Sequence, residues 1–130
     1  MAVAFPAGRF AFVGPRAESA GGDVLDLEEA LVTPGLVDAH THPAFLGDRS
    51  DEAAARLAGE PYAGGGILRT VAATRAGSDD DLRAAIHVRL RASVVSGTTT
   101  IECKSGYGLP TAEELRSLRL IGEAAEAPPI

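Results

Sequence analysis

One cysteine, Cys103, is all that the 130 residues contain, so no disulfide can close within the chain. Thiols alone can build neither a zinc ribbon nor a paired redox motif here. That scarcity fits a reducing, cytoplasmic compartment. Basic clusters are also missing: 12 Lys and Arg stand against 18 Asp and Glu, a formal charge of −6 with a pI near 5.0. The balance excludes nucleic acid and anionic membrane as primary partners. No stretch approaches the roughly 18 apolar residues of a membrane span, and the first fourteen residues lack the basic start and apolar centre of a secretory signal. The expectation is a chain with neither. What is present is 45% apolar and 23% charged, enough core-forming surface to exclude a wholly disordered chain and one domain's worth at most.

Two short strands are expected first, Arg9 to Val13 stopped by Gly14-Pro15 and Asp23 to Leu27 after Gly21-Gly22. A third apolar run, Leu31-Val32, is interrupted by Thr33-Pro34-Gly35 and resumes as Leu36-Val37-Asp38-Ala39-His40-Thr41-His42 up to Pro43. Helical patterns follow. Ser50 reads as a cap before the acidic turn Asp51-Glu52, with Gly59 closing the segment. Ser78 and Asp81 form an S-x-x-D capping pattern, after which Leu82, Ile86, Leu90 and Val94 recur every four residues until Gly97. The β-branched run Thr98 to Ile101, continuing through Glu102-Cys103-Lys104, reads as strand, and Ser105-Gly106-Tyr107-Gly108 as turn. A last helix starts at Thr111, capped by Glu114, carries Leu115, Leu118 and Ile121, and stops before Pro128-Pro129. From residue 36 onward the order of strand, helices, strand, helix argues for parallel pairing in an α/β domain.

His40-Thr41-His42 is the sharpest chemical feature. Residues i and i+2 of a strand share a face, so two imidazoles converge on one point, as metal ligands do. Leu36, Asp38, His40 and His42 would share that face, leaving Val37, Ala39 and Thr41 to pack on helices. The bland alternative is a pair of loop histidines, since H-x-H is short and two imidazoles leave a tetrahedral ion incomplete. His87 lies between Arg83 and Arg91 at helical spacing and reads as part of a solvated basic stripe. Cys103 alternates with Ile101 as a small hydrophobe. Glu102 and Lys104 share the opposite face, where a network with Asp38 is the ordinary account. Gly64-Gly65-Gly66 lacks the Gly-Lys-Ser/Thr of a phosphate loop and serves a close approach instead. Arg49 follows His42 by seven residues and could clamp a carboxylate or pair with Asp48, Asp51 or Glu52. Tyr107, between Gly106 and Gly108, is placed to hydrogen-bond a ligand.

Taken together, Val32-Thr33-Pro34-Gly35-Leu36-Val37-Asp38-Ala39-His40-Thr41-His42 resembles the opening of the amidohydrolase superfamily. Gly47-Asp48-Arg49-Ser50-Asp51-Glu52, Gly64-Gly65-Gly66-Ile67-Leu68, Thr74-Arg75-Ala76 and Lys104-Ser105-Gly106-Tyr107-Gly108-Leu109 are similar to the imidazolonepropionase family within it. The resemblance implies an α/β fold: an incomplete (β/α)8 barrel of the metal-dependent hydrolase type over residues 33–130, preceded over 1–32 by strands of a small composite β-sandwich domain. It implies hydrolysis of 4-imidazolone-5-propanoate to N-formimidoyl-L-glutamate in histidine degradation, with His40 and His42 holding Zn or Fe. Arg49 and Tyr107 would bind substrate, and the full-length protein would form a homodimer. A (β/α)8 barrel needs about 250 residues, and the family's other metal ligands and acid–base groups lie on later strands. No catalytic acid or base is therefore identifiable in this chain, and activity from it alone is not expected. Two other readings stay open, a related cyclic amidohydrolase or heterocycle deaminase and a non-catalytic metal-binding or assembly module.

Overall fold

The computed structural model describes residues 2–4, 8–18, 21–61 and 65–126. They fall into two compact units, Met1–Thr33 and Pro34–Ile130. In the first, β1 (Ala2–Ala4) pairs antiparallel with β2 (Phe12–Gly14), Val3 opposite Val13. The strand expected over 9–13 is thus shifted toward its end, because three partner residues are all that β1 offers. The strand expected over 23–27 does not form. Arg16 instead donates to Asp26 at 3.0 Å, the other Asp26 oxygen accepts from the Glu28 N–H at 2.9 Å, and Glu28 turns the chain at φ 54°. A strand exists through its ladder, and Val24 and Leu25, 70% and 82% exposed, find no partner strand among the described residues.

In the second unit β3 (Leu36–Thr41) lies parallel to β4 (Thr98–Cys103). The connection runs through α1 (Ser50–Leu57), α2 (Ile67–Ala76) and α3 (Asp79–Val95), and α4 (Thr111–Glu126) follows β4. Parallel neighbours require such a crossover. The parallel sheet has two strands among the described residues, so this is the expected α/β arrangement of an incomplete (β/α)8-type fold, with no closed barrel. At the junction of the strands, a Cβ on Gly35 would fall 2.0 Å from the Thr99 hydroxyl. Only glycine lets the chain enter β3 at that spacing.

Local chemistry explains the helices. Ser78 caps α3: its hydroxyl accepts from the Asp81 N–H at 3.1 Å while the Asp81 carboxylate accepts from the Ser78 N–H at 3.2 Å, a complete capping box. For α1 the cap differs from expectation. Arg49 occupies the N-cap position without a side-chain bond, and Asp48 accepts from the Ser50 N–H at 2.8 Å. Helix α2 carries no leucine periodicity and buries Thr70, Val71 and Thr74. Arg116 of α4 closes its end, donating to the carbonyls of Thr74 and Gly77 at 3.5 and 2.7 Å. Gly64 and Pro128-Pro129 lie outside the described residues.

The core comprises Ala44, Leu82, Ile86, Leu120 and Ala124, with Leu46, Leu90 and Ile121 against it. It joins α3, α4 and the turn after β3, and no residue of β3 enters it. Val37, expected to pack on helices, is 69% exposed. On α4 the buried side is Ser117, Leu120 and Ala124, whereas Leu115 and Leu118 are exposed. Ser117 tolerates burial because its hydroxyl donates to the Glu113 carbonyl at 3.1 Å.

Candidate metal and substrate site

The end of β3 departs from regular alternation in a way that shapes the site. Asp38 is opposite Ile101 and Thr41 is opposite Cys103, so β3 carries one residue more than β4 across this interval. Bulges of this kind re-aim side chains. The released His40 N–H donates to the Asp38 carboxylate at 3.2 Å. Asp38 is therefore occupied with its own strand and does not join the Glu102–Lys104 pair, whose atoms lie 3.2 Å apart. Thr41 locks the strand end, its hydroxyl donating to the Glu102 carbonyl at 2.7 Å and its carbonyl accepting from the Lys104 N–H at 2.8 Å.

Beyond this lock the two histidine rings meet edge to face, centroids 5.3 Å apart. His42 Nδ1 lies 2.9 Å from the Ser105 carbonyl oxygen. A carbonyl can only accept, so Nδ1 donates to it, and in the neutral ring Nε2 keeps its lone pair, one of the two tautomers through which a histidine ligates a metal. Gly106 makes this approach feasible: a Cβ there would lie 2.8 Å from His42 Nδ1. The donor set fits a metal ion with an N-ligand preference, and it is partial, because no cluster of three His, Cys, Asp or Glu occurs among the described residues.

Tyr107 completes the local group. Its ring lies edge-on to His42 at 6.0 Å and tilted against Phe45 at 5.4 Å. Tyr107 and Leu109 both have positive φ, 67° and 70°. Such a conformation costs about 1–3 kcal/mol per residue and persists where surroundings hold it. One hold is Glu114, whose Oε1 accepts from the Leu109 N–H at 2.7 Å. Another is Gly108, where a Cβ would reach 2.6 Å from Glu113 Cβ.

Arg49 lies on the edge of a shallow cavity with Glu52, Ala53 and Arg56. Its guanidinium is 3.9 Å from Glu52, which Arg69 also holds at 2.9 Å. No hydrogen bond or ring contact joins Arg49 to the histidines or Tyr107 among the described residues. His87 is half-buried on α3, and Arg83, expected to be solvated beside it, bonds Glu123 of α4 at 2.9 Å. Sequence reasoning missed Ser105, Phe45 and Arg89. Arg89 donates to the carbonyls of Pro43 and Phe45 at 2.7 and 2.8 Å and lies 3.5 Å above the Phe45 ring. The positions of the two glycines around Tyr107 were the available signal for the loop, and nothing in residue type marked Arg89.

Two histidines at the C-terminal end of a parallel strand, within an α/β unit of (β/α)8 type, are the arrangement of the amidohydrolase class. Within that class the chain belongs to the imidazolonepropionase family. It is 54% identical to imidazolonepropionase of Salinispora tropica over 120 residues, 91% of this chain and 30% of that protein. It is 48% identical to imidazolonepropionase of Rhodococcus jostii over 120 residues, 92% of this chain and 30% of the relative. With imidazolonepropionase of Pseudomonas putida it shares 47% identity over 137 aligned positions, 99% of this chain and 34% of the relative. The chain thus spans about a third of the length of the curated relatives it matches. No protein-family profile matches it, and no helix among the described residues is long and apolar enough to cross a membrane.

Proposed function

We propose that these residues form the first part of the metal and substrate site of an enzyme that hydrolyses 4-imidazolone-5-propanoate to N-formimidoyl-L-glutamate. The observation that carries this reading is the His40–His42 pair, with His42 fixed by Ser105 in the ligating tautomer beside Tyr107. His40 and His42 would hold Zn or Fe, and imidazole suits either. Bound there, such a metal supplies an acidified water and polarises a ring carbonyl. Arg49 binds the propanoate carboxylate, for which a guanidinium is the matched fork. Tyr107 contacts the substrate through its hydroxyl, its ring held against Phe45. The setting is cytoplasmic, in keeping with the free thiol of Cys103, and the full-length protein is a homodimer.

Two imidazoles fall short of the ligands a catalytic ion needs, so turnover requires the rest of a barrel. A chimaera in which this chain replaces the matching segment of the Pseudomonas putida relative tests the reading. Hydrolysis of 4-imidazolone-5-propanoate, abolished by His40→Ala with His42→Ala and weakened in KM by Arg49→Lys, is the expected result. A folded chimaera that opens hydantoin or deaminates guanine instead would move the chain to a sister activity. One that turns over none of these would refute the proposal.

A further inference from the structure

Arg89 is an odd cation. It is drawn from the middle of α3 into a half-buried position, and no carboxylate lies within ion-pair distance of it among the described residues. Burial pushes its pKa below the ordinary guanidinium value. A methionine or leucine would fill the same volume without that desolvation, so its presence calls for a reason beyond packing. Its contacts supply one. One terminal nitrogen bridges the carbonyls of Pro43 and Phe45, the first and third residues after His42, and the guanidinium carbon lies over the Phe45 ring, 3.5 Å from its centroid. The ring so held is the one Tyr107 leans on, at 5.4 Å, and Tyr107 in turn meets His42 at 6.0 Å.

We propose that Arg89 is a positioning residue: by pinning the turn after β3 and the Phe45 ring, it fixes the surface that sets Tyr107 over His42. Lysine would not serve equally, because an ammonium can bond both carbonyls but offers no planar face to the ring. The functional meaning of the placement rests on the reading of Tyr107 as a substrate-contacting group. The placement itself rests on geometry alone.

The test uses the full chain carrying Tyr62→Phe, which leaves Tyr107 as its sole tyrosine. Tyrosine, phenylalanine and histidine rings are isotope-labelled, and nuclear Overhauser contacts from Tyr107 to Phe45 and His42 are read by NMR. Arg89→Met is expected to lose both contacts while the methyl signals of Leu82, Ile86 and Leu120 keep their folded positions. Arg89→Lys, which still reaches the carbonyls, restores them in part. A Tyr107–His42 contact that survives Arg89→Met overturns the proposal. If Arg89→Met also loses the core signals, Phe45→Leu decides, since it spares the carbonyl bonds and removes the intervening ring. Loss of the Tyr107–His42 contact in that variant supports the proposal, and retention overturns it. None of these readouts needs turnover, so a chimaera without hydrolytic activity would refute the proposed function and leave this inference standing.

Discussion

Substituting Gly106 by alanine probes the histidine site through a single carbon atom. The new Cβ would sit 2.8 Å from His42 Nδ1 and 3.4 Å from Cε1. Ordinary contact begins near 3.4 Å, so the ring or the loop must yield about 0.6 Å on the side that carries the Nδ1 proton. A shift of that size stretches the 2.9 Å bond to Ser105 to about the outer limit of a hydrogen bond. The direct cost is the net worth of one such bond, about 1 kcal/mol. The larger consequence is chemical. With Nδ1 no longer committed to a carbonyl, the proton distributes between both nitrogens and the bare Nε2 is no longer selected. Loss of an outer partner of a metal-bound histidine typically lowers metal affinity about 10- to 100-fold. Long-range nitrogen–proton NMR spectra of His42 in this chain read the tautomer, and zinc titration of the chimaera reads the affinity. If Gly106→Ala leaves His42 protonated at Nδ1 and zinc affinity within a factor of about two, the reasoning fails.

Three further outcomes are expected. Ser78→Ala removes the capping box of α3 and should lower unfolding free energy by about 1 kcal/mol in urea titration, whereas Ser78→Asp should retain most of it. Leu82→Ala, at a fully buried position of a small core, should cost about 2–5 kcal/mol, measured by the same titration; a change below about 0.5 kcal/mol would contradict the burial. Acid should loosen the pairing of α3 with α4. Hydrogen bonds from Arg116 and Arg119 hold Asp79 below its ordinary 3.8, and those from Arg83 and Arg119 hold Glu123 below its ordinary 4.5. Their contribution is complete above those ordinary values and is lost as pH falls through the lower folded ones. The melting temperature should therefore drop below about pH 4, and Asp79→Asn should shrink that drop. An acid drop unchanged in Asp79→Asn would show that the Asp79 pairs carry none of it.

The parts of the fold legible in the sequence are those whose signals are carried by side-chain periodicity. Helix α3 announces itself through Ser78, Asp81 and the four-residue recurrence of Leu82, Ile86 and Leu90. Strand β4 does so through consecutive β-branched residues. Helix α2 does not, because its buried side is Thr70, Val71 and Thr74, and threonine is burial-competent only where a partner is supplied; Thr74 accepts from the Leu46 N–H at 3.0 Å. The segment around Val24 and Leu25 alternates like a strand, yet alternation reports what a strand could bury and not whether a partner is present. At the site, the spacing of His40 and His42 anticipates their convergence. What fixes the geometry is a one-residue bulge and a backbone carbonyl from Ser105, and residue type encodes neither. Arg89 is illegible for another reason: a charge on a helix is solvated in most proteins, and only the tertiary turn at Pro43–Phe45 gives it a different role.

The long crossover between the two parallel strands orders events in time. Thr41 and Glu102, joined by a hydrogen bond, are separated by 61 residues, while α3 and α4 are neighbours across a short strand and loop. Closing the larger loop costs more chain entropy than pairing the helices, and contacts of long sequence separation slow folding. The carbonyl that selects the His42 tautomer arrives only when that closure is made. Until then a nascent chain presents two unselected imidazoles, so under the proposed reading metal binding at His40 and His42 would report on closure of the crossover.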